Sequence, residues 1–360
     1  MSHFRVALRS HRYSLCAAAV LLALCVGLTS CSSAPSGSAP SGSAPTGGNS
    51  SAPSSGKVLT IGLSLPTLAN PYFAGVEHGV RERTSQLGYQ LTERAANNDM
   101  SMQLKQIDEL IGVKVDAIVV VPIDSDGIAA AVKQANAANI PMIALDRDVN
   151  AGQVVFIGSN NVELGAKGAD WVAEHLTTRY GEPRGNVIDL RGLQRIAAAR
   201  AREQGFTEEL KKSPNIRVVA SPIGNFDQET SRTATAAALR ANPSVDAIFC
   251  ANDDNALGAI QAIQEAGKLE PVGAKGHISI VGIDGIPQAL QAIRHDTLDA
   301  TFSQNPVKWA VKAVDFAQEI SNGKQPEKHV DYPYILLDKS NIDSPEAKSY
   351  GLWGDVVAHG

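Results

Sequence analysis

Six stretches of the chain carry side chains able to react with a small molecule or to hold one: Asn70-Pro71-Tyr72-Phe73, Asp146-Arg147, Phe226, Asn252-Asp253-Asp254, Asp284 and Thr301-Phe302-Ser303-Gln304. Two chemistries are open to such a set. Asp253-Asp254 and the Asp146/Arg147 pair have the groups of an acid–base catalyst. The same amides, carboxylates, guanidinium and rings are also what holds an uncharged polyhydroxyl ligand. Asp, Asn and Gln pair with adjacent hydroxyls, Arg donates in a fixed fork, and flat rings cover C–H faces. Each stretch has a structural reading too: Asn70 before Pro71 is a helix cap, Asn252 and Asp284 can open helices or turns, Asp146-Arg147 can be an ion pair, and Tyr72 and Phe73 can be core. Caps need no arginine, however, and core aromatics need no neighbouring carboxylates.

Catalysis finds no further support. The sequence has no Walker loop, no GxGxxG after a strand, no GxSxG elbow and no His/Cys metal spacing. His78, His175, His277 and His295 lie apart and read as surface residues. Asp124-Ser125-Asp126-Gly127 is too short for a calcium cage and reads as a turn. Neither enzymatic activity nor a cofactor or metal is expected. Cys250 ends an apolar run and reads as a buried small hydrophobe.

These stretches sit where strands end. Apolar runs predict strands at Val58–Leu63, Ala117–Val121, Pro141–Leu145, Val154–Ile157, Asn186–Leu190, Ile216–Ala220, Ala247–Cys250 and Ile278–Ile283. Amphipathic segments between them predict helices over Phe73–Leu87, Met102–Gly112, Ile128–Ala138, Val162–Leu176, Ala198–Leu210, Thr230–Leu239, Ala256–Glu265 and Val307–Ile320. Strict alternation, with strands this apolar, implies α/β layers: parallel sheets covered on both faces. About 300 residues exceed what one core usually serves, so two doubly wound domains are expected. In such sheets ligands bind beyond the carboxyl ends of the strands, where the six stretches fall.

The N-terminus has a separate logic. Arg5, Arg9 and Arg12 precede an acid-free apolar run, Leu15 to Leu28, too short for a comfortable membrane span, and then Leu28-Thr29-Ser30-Cys31. Residues 1–30 read as a signal peptide. The tetrapeptide resembles the lipobox of bacterial lipoproteins, which implies a lipidated Cys31; ordinary cleavage near Ser30 is the alternative. Residues 32–56 are nearly all Ser, Ala, Pro or Gly and read as a flexible tether reaching roughly 28 Å. The chain carries 37 acidic and 32 basic residues; loss of the three leader arginines takes its net charge from −5 to −8, which argues against nucleic acid as a partner.

From Val58 to about Asp338 the chain resembles the periplasmic sugar-binding proteins of ABC transporters, of the ribose-binding type. Asn70-Pro71-Tyr72-Phe73, Asp124-Ser125-Asp126, Ile140-Pro141 through Leu145-Asp146-Arg147, Ala198-Ala199-Arg200 ahead of Gly205-Phe206, Phe226-Asp227, Asn252-Asp253 with Ala256-Leu257-Gly258-Ala259, Val281 through Gly285 and Gln304 carry the likeness. The resemblance implies two lobes joined by three crossings (a periplasmic binding protein type I fold), closing on a ligand between them. Asn70, Asp146, Arg147, Arg200, Asn252, Asp284 and Gln304 would then hydrogen-bond the ligand, and Tyr72, Phe73 and Phe226 would sandwich it. Crossings near Ser159-Asn160, Gln304-Asn305 and Leu337-Asp338 would give one lobe residues 57–159 and 305–337 and the other residues 160–304 and 338–360. Pro66 stands where the ribose type has a serine and Val121 where it has an asparagine, so another pentose, a hexose or a linear polyol is expected in place of ribose. The tail from Ser340, with Tyr350 and Trp353, is expected to pack on the second lobe. The implied protein is a lipid-anchored monomer on the outer face of the cytoplasmic membrane or in the periplasm. It would serve an ABC permease or, alternatively, present its closed form to a membrane chemoreceptor or sensor kinase. Repressors of the lactose type share this fold but carry a DNA-binding domain where this chain has a leader and tether.

Overall fold

The computed structural model describes residues 57–358; the leader, Cys31 and the tether lie outside the described residues. The first half alternates β1 (Thr60–Leu65), α1 (Pro71–Leu87), β2 (Gln90–Ala95), α2 (Met100–Gly112), β3 (Ala117–Val120), α3 (Ala129–Ala137), β4 (Met142–Leu145) and β5 (Val154–Gly158). The second half runs α4 (Asn161–Tyr180), β6 (Arg184–Leu190), α5 (Ala197–Leu210), β7 (Asn215–Ala220), α6 (Gln228–Ala241), β8 (Ala247–Cys250), α7 (Asp253–Glu265), β9 (Ser279–Asp284), α8 (Pro287–Arg294) and β10 (Ala300–Ser303). There follow α9 (Pro306–Ser321), β11 (His329–Asp331), β12 (Ile335–Asp338), a π-helical turn at Ala347–Gly351 and α10 (Trp353–Ala358).

Two six-stranded sheets result, ordered β11-β5-β4-β3-β1-β2 and β12-β10-β9-β8-β6-β7. All pairings are parallel except β10 with β12. Strands β3, β4 and β8 are buried along their whole length, as parallel strands covered on both faces must be. The fold is thus two doubly wound α/β domains. Among the described residues no helix is long and apolar enough to cross a membrane.

Helices α1, α7 and α9 follow strands β1, β8 and β10 after five, two and two residues, each with an Asn cap. Asn70 accepts from Tyr72 N at 2.8 Å, Asn252 from Asn255 N at 3.0 Å and Asn305 from Lys308 N at 2.9 Å, satisfying amides that have no partner inside the helix. Glycines let α4 and α5 pack backbone to backbone: a Cβ on Gly165 would stand 2.0 Å from the Arg202 carbonyl, and one on Gly205 1.9 Å from that of Val162.

The chain passes between the sheets after β5, after β10 and after β11. The third passage is not at Leu337-Asp338, the position expected from the sequence. Strand β12 already pairs antiparallel with β10, from Ser303↔Ile335 to Ala300↔Asp338, so the crossing is Tyr332–Tyr334. The tail also departs from expectation, since it touches both lobes. Trp353 packs edge-on against Tyr72 of α1, with centroids 5.7 Å apart, while its indole nitrogen donates to Asp284 O of the second sheet at 3.0 Å. His277 is another correction. It is 3% exposed and clamped between Glu270 O and the Asp299 carboxylate at 2.7 and 2.8 Å. Cys250 is fully buried.

Candidate functional site

Between the two sheets' carboxyl ends lies a chamber of about 340 Å³, counting its opening, which leads into a wider mouth. Its lining includes eight of the ten sequence-predicted residues: Asn70, Tyr72, Phe73, Asp146, Arg147, Phe226, Asn252 and Asp284. The other two are elsewhere. Arg200 points outward from α5 and donates to Gln194 O at 2.6 Å. Its place is taken by Arg202, 3% exposed, because Ala198, Ala199, Arg202 and Phe206 form the buried face of α5 and a residue two positions away is rotated by about 200°. That helical spacing was the available signal for Arg202. Gln304 stands behind the chamber, its amide donating to Asp284 Oδ1 at 2.9 Å.

The first lobe contributes Asp146 and Arg147 from the end of β4, and Asn70, Tyr72 and Phe73 from the start of α1. Arg147 lies 3.5 Å from the Asp146 carboxylate, donates to Pro122 O at 3.0 Å and spreads its guanidinium over Phe73, 5.0 Å from the ring centroid. Tyr72 is enclosed by Phe73, Trp309 and Trp353, so it reaches the chamber through its hydroxyl and not as an open ring face. That hydroxyl is buried, has no hydrogen-bond partner of good geometry and sits in the field of Asp146.

The second lobe contributes a network centred on Asp284. Its carboxylate receives Asn252 Nδ2 at 3.3 Å and Gln304 Nε2 at 2.9 Å, with Arg202 Nη1 3.9 Å away. Arg202 is held by Asn161 Oδ1 at 2.8 Å and Ala251 O at 2.7 Å. Asp253 is no acid–base group. It is fully buried, accepts the amides of Gly285 and Ile286 at 2.7 and 3.0 Å and the Thr301 hydroxyl at 2.7 Å, and so secures the turn after Asp284. Asp254 reaches the opposite lobe, accepting from Asn70 Nδ2 at 2.7 Å. Asp146, Phe226 and Asp284 all have positive φ, at 64°, 59° and 134°. Non-glycine residues persist in such conformations only where their surroundings hold them, and they cluster at binding sites.

Burial dominates the charges. It pushes the Asp284 carboxyl well above the usual range, with Arg202 opposing and Asp253, Asp146 and Asp254 reinforcing the rise. Asp146 is raised by burial against the pull of Arg147 and Arg202, and burial lowers Arg147. The chamber is therefore a desolvated set of donors and acceptors with few protein partners left over, suited to a neutral ligand that brings its own hydroxyls.

Residues 61–325 match the model of the periplasmic binding protein domain. The chain belongs to that family. It is similar to the ribose import binding protein of Escherichia coli (strain K12), 34% identical over 267 residues that cover 74% of this chain and 86% of the relative. Among solved structures it is similar to an ABC transporter periplasmic solute-binding protein from Actinobacillus succinogenes 130z with bound D-allose. The TM-score is 0.73 at 28% identity, covering 81% of this chain and 100% of the other. An ABC transporter solute-binding protein from Bacillus halodurans C-125 with bound myo-inositol gives 0.73 at 27% identity, covering 82% and 100%. Being a periplasmic binding protein accounts for the two doubly wound lobes and for a site made half by each. The departures from the ribose type bear on the site less directly than the sequence suggests: Val121 is fully buried in the first lobe's core, and neither it nor Pro66 lines the chamber or its mouth.

Proposed function

We propose that the protein captures a monosaccharide or polyol between its lobes, performs no reaction on it, and delivers it to an ABC permease from a lipid anchor at Cys31. One observation carries the ligand class. Half-buried Asn70 with buried Asp146 and Arg147 from one lobe, and buried Arg202, Asn252 and Asp284 from the other, converge on a single chamber flanked by Phe73 and Phe226. Opposed charges sit side by side, so a neutral ligand is matched better than an ion. The ligands named for relatives (ribose, D-allose and myo-inositol) are all small polyhydroxyl compounds. Binding favours closure because one ligand contacts both lobes, and a permease can read the closed shape.

The test is a thermal-shift screen of pentoses, hexoses, inositols and linear polyols, followed by calorimetry. A ligand bound only by the folded state raises the midpoint as its concentration passes the dissociation constant. If none of these compounds shifts the midpoint while a charged solute does, the ligand class is wrong. The anchor has its own test: Cys31→Ser protein is expected in the soluble fraction after signal cleavage, and continued membrane partition refutes lipidation.

A further inference from the structure

The C-terminal segment is tied to the hinge at several points. Ser303 donates to Gly351 O and Asn305 to Tyr350 O, both at 2.7 Å, on the second crossing. The Tyr350 hydroxyl donates to Pro333 O on the third. Beyond these ties the chain delivers Trp353, 3% exposed, to the back of the chamber. Its indole N–H donates to Asp284 O, and its ring lies edge-on to Tyr72 at an interplanar angle of 89°. The first lobe makes room for it, since a Cβ on Gly75 of α1 would meet the indole at 2.9 Å; the next residue of the segment, Gly354, lets it approach the second lobe, since a Cβ there would meet Pro287 of α8 at 2.9 Å and Gly285 O at 3.0 Å.

Asp284 needs such support. Its φ of 134° is a conformation that side-chain-bearing residues adopt only when held. The holders are Asp253 on the two following amides, and Gln304 N and Trp353 Nε1 on the Asp284 carbonyl at 3.1 and 3.0 Å. Trp353 also touches Tyr72, a chamber residue of the opposite lobe.

We propose that Trp353 is a positioning residue of the ligand site: it fixes the Asp284 turn of the second lobe against Tyr72 of the first, so that the two halves of the chamber meet in binding geometry. This rests on the ligand-binding reading of the cleft. The segment is accordingly part of the binding machinery and not an appendage to the second lobe.

Trp353→Phe keeps an aromatic ring against Tyr72 and Gly75 but removes the donor to Asp284 O; Trp353→Ala removes both. Two measurements on the full chain test the idea. Hydrogen exchange of the Gly285 and Ile286 amides, which needs no ligand, is expected to rise about tenfold in Trp353→Phe, with the rest of β9 unchanged. Calorimetry with D-ribose, D-allose, myo-inositol and xylitol is expected to show threefold to tenfold weaker binding of whichever of them the parent protein takes, the range a single neutral hydrogen bond supplies. The melting temperature of Trp353→Phe should stay close to the parent's, and Trp353→Ala should lose more affinity than Trp353→Phe. Unchanged exchange and affinity in Trp353→Phe, or a loss of melting temperature with neither altered, overturns the proposal and makes Trp353 ordinary packing. A parent protein that binds none of the four compounds counts against the sugar reading, while the exchange measurement still decides the positioning.

Discussion

The most discriminating substitution separates two arginines of one helix. Arg202 faces the chamber and Arg200 faces solvent, two positions apart on α5. Arg202→Met keeps an apolar stem of similar reach but removes the guanidinium that stands 3.9 Å from the Asp284 carboxylate and is oriented by Ala251 O and Asn161. If Arg202 gives the ligand one charge-assisted hydrogen bond, worth about 1.5–3 kcal/mol, affinity falls roughly 10- to 150-fold. Losing the cation also removes the main influence holding the Asp284 carboxyl down, so the pH at which binding titrates moves upward. Arg200→Ala removes one exposed contact and is expected to change affinity by no more than about twofold, the effect of ~0.5 kcal/mol. The assay is calorimetry with the best ligand from the thermal-shift screen, with circular dichroism to verify that both variants are folded. Arg202→Met protein that binds within threefold of the parent, or Arg200→Ala protein that loses more than tenfold, refutes the assignment.

Three further outcomes are expected. Asn70→Asp retains the cap acceptor for Tyr72 N but sets a carboxylate against Asp254 across the cleft, so ligand-saturated protein should show a larger radius of gyration by X-ray scattering and bind at least about tenfold more weakly, since like charges at this partly buried contact oppose closure. An unchanged radius and affinity would deny that this contact belongs to the closed state. Asp189, buried in β6 beside Glu203, has its carboxyl pushed up to about 7 by burial, so the folded state holds the proton more tightly than the unfolded chain does, whose carboxyl titrates near 3.9. Its contribution is complete below about pH 4 and is lost as pH rises to 7, at up to ~1.4 kcal/mol per pH unit; urea unfolding at several pH values should show that limb flattened in Asp189→Asn, and an identical slope refutes it. Gly205→Ala should destabilise by about 1–3 kcal/mol or more and weaken binding as well, because the clash at Val162 O displaces the helix that carries Arg202; a melting temperature equal to the parent's would show that α4 and α5 are less tightly apposed.

Residues that face two layers were the easiest to read. Strands β3, β4 and β8 are short, wholly apolar and buried throughout, and their apolar runs are unmistakable in the sequence. Strand β2 was missed because Gln90–Ala95 lies at a sheet edge, half-buried, with Thr, Glu and Arg among its six residues. Strand β11 was missed because only Val330 of its three residues is apolar, and β12 because it returns antiparallel to β10 with no helical segment between it and β11 to mark a strand–helix unit. In the site, the residues at strand ends were legible because parallel-sheet topology places them together. Arg200 was chosen over Arg202 because a match of Ala-Ala-Arg in sequence carries no helical phase, whereas burial of Ala198, Ala199 and Phe206 does. Asp253 could not be told from an acid–base group, since the amides it holds lie 32 and 33 residues away. Nor does local pattern reveal positive φ at Asp146 and Asp284, which depends on contacts made from distant segments.

Those strained carboxylates connect the geometry to closure. Bringing the lobes together removes Asp146, Arg147, Arg202 and Asp284 from water, and burial is the largest influence on both carboxyls. The opposing cations offset that penalty only in part, since both carboxyls remain raised in their presence. A neutral polyhydroxyl ligand supplies donors to the carboxylates and acceptors to the guanidiniums without adding net charge, so it lowers the free energy of the closed arrangement specifically. A ligand of the same shape lacking one hydroxyl leaves a buried charge unpartnered, which costs more than the missing bond alone. Selectivity and closure therefore arise from the same buried groups, and substitutions that weaken one, at Arg202 or Asp284, are expected to weaken the other in proportion.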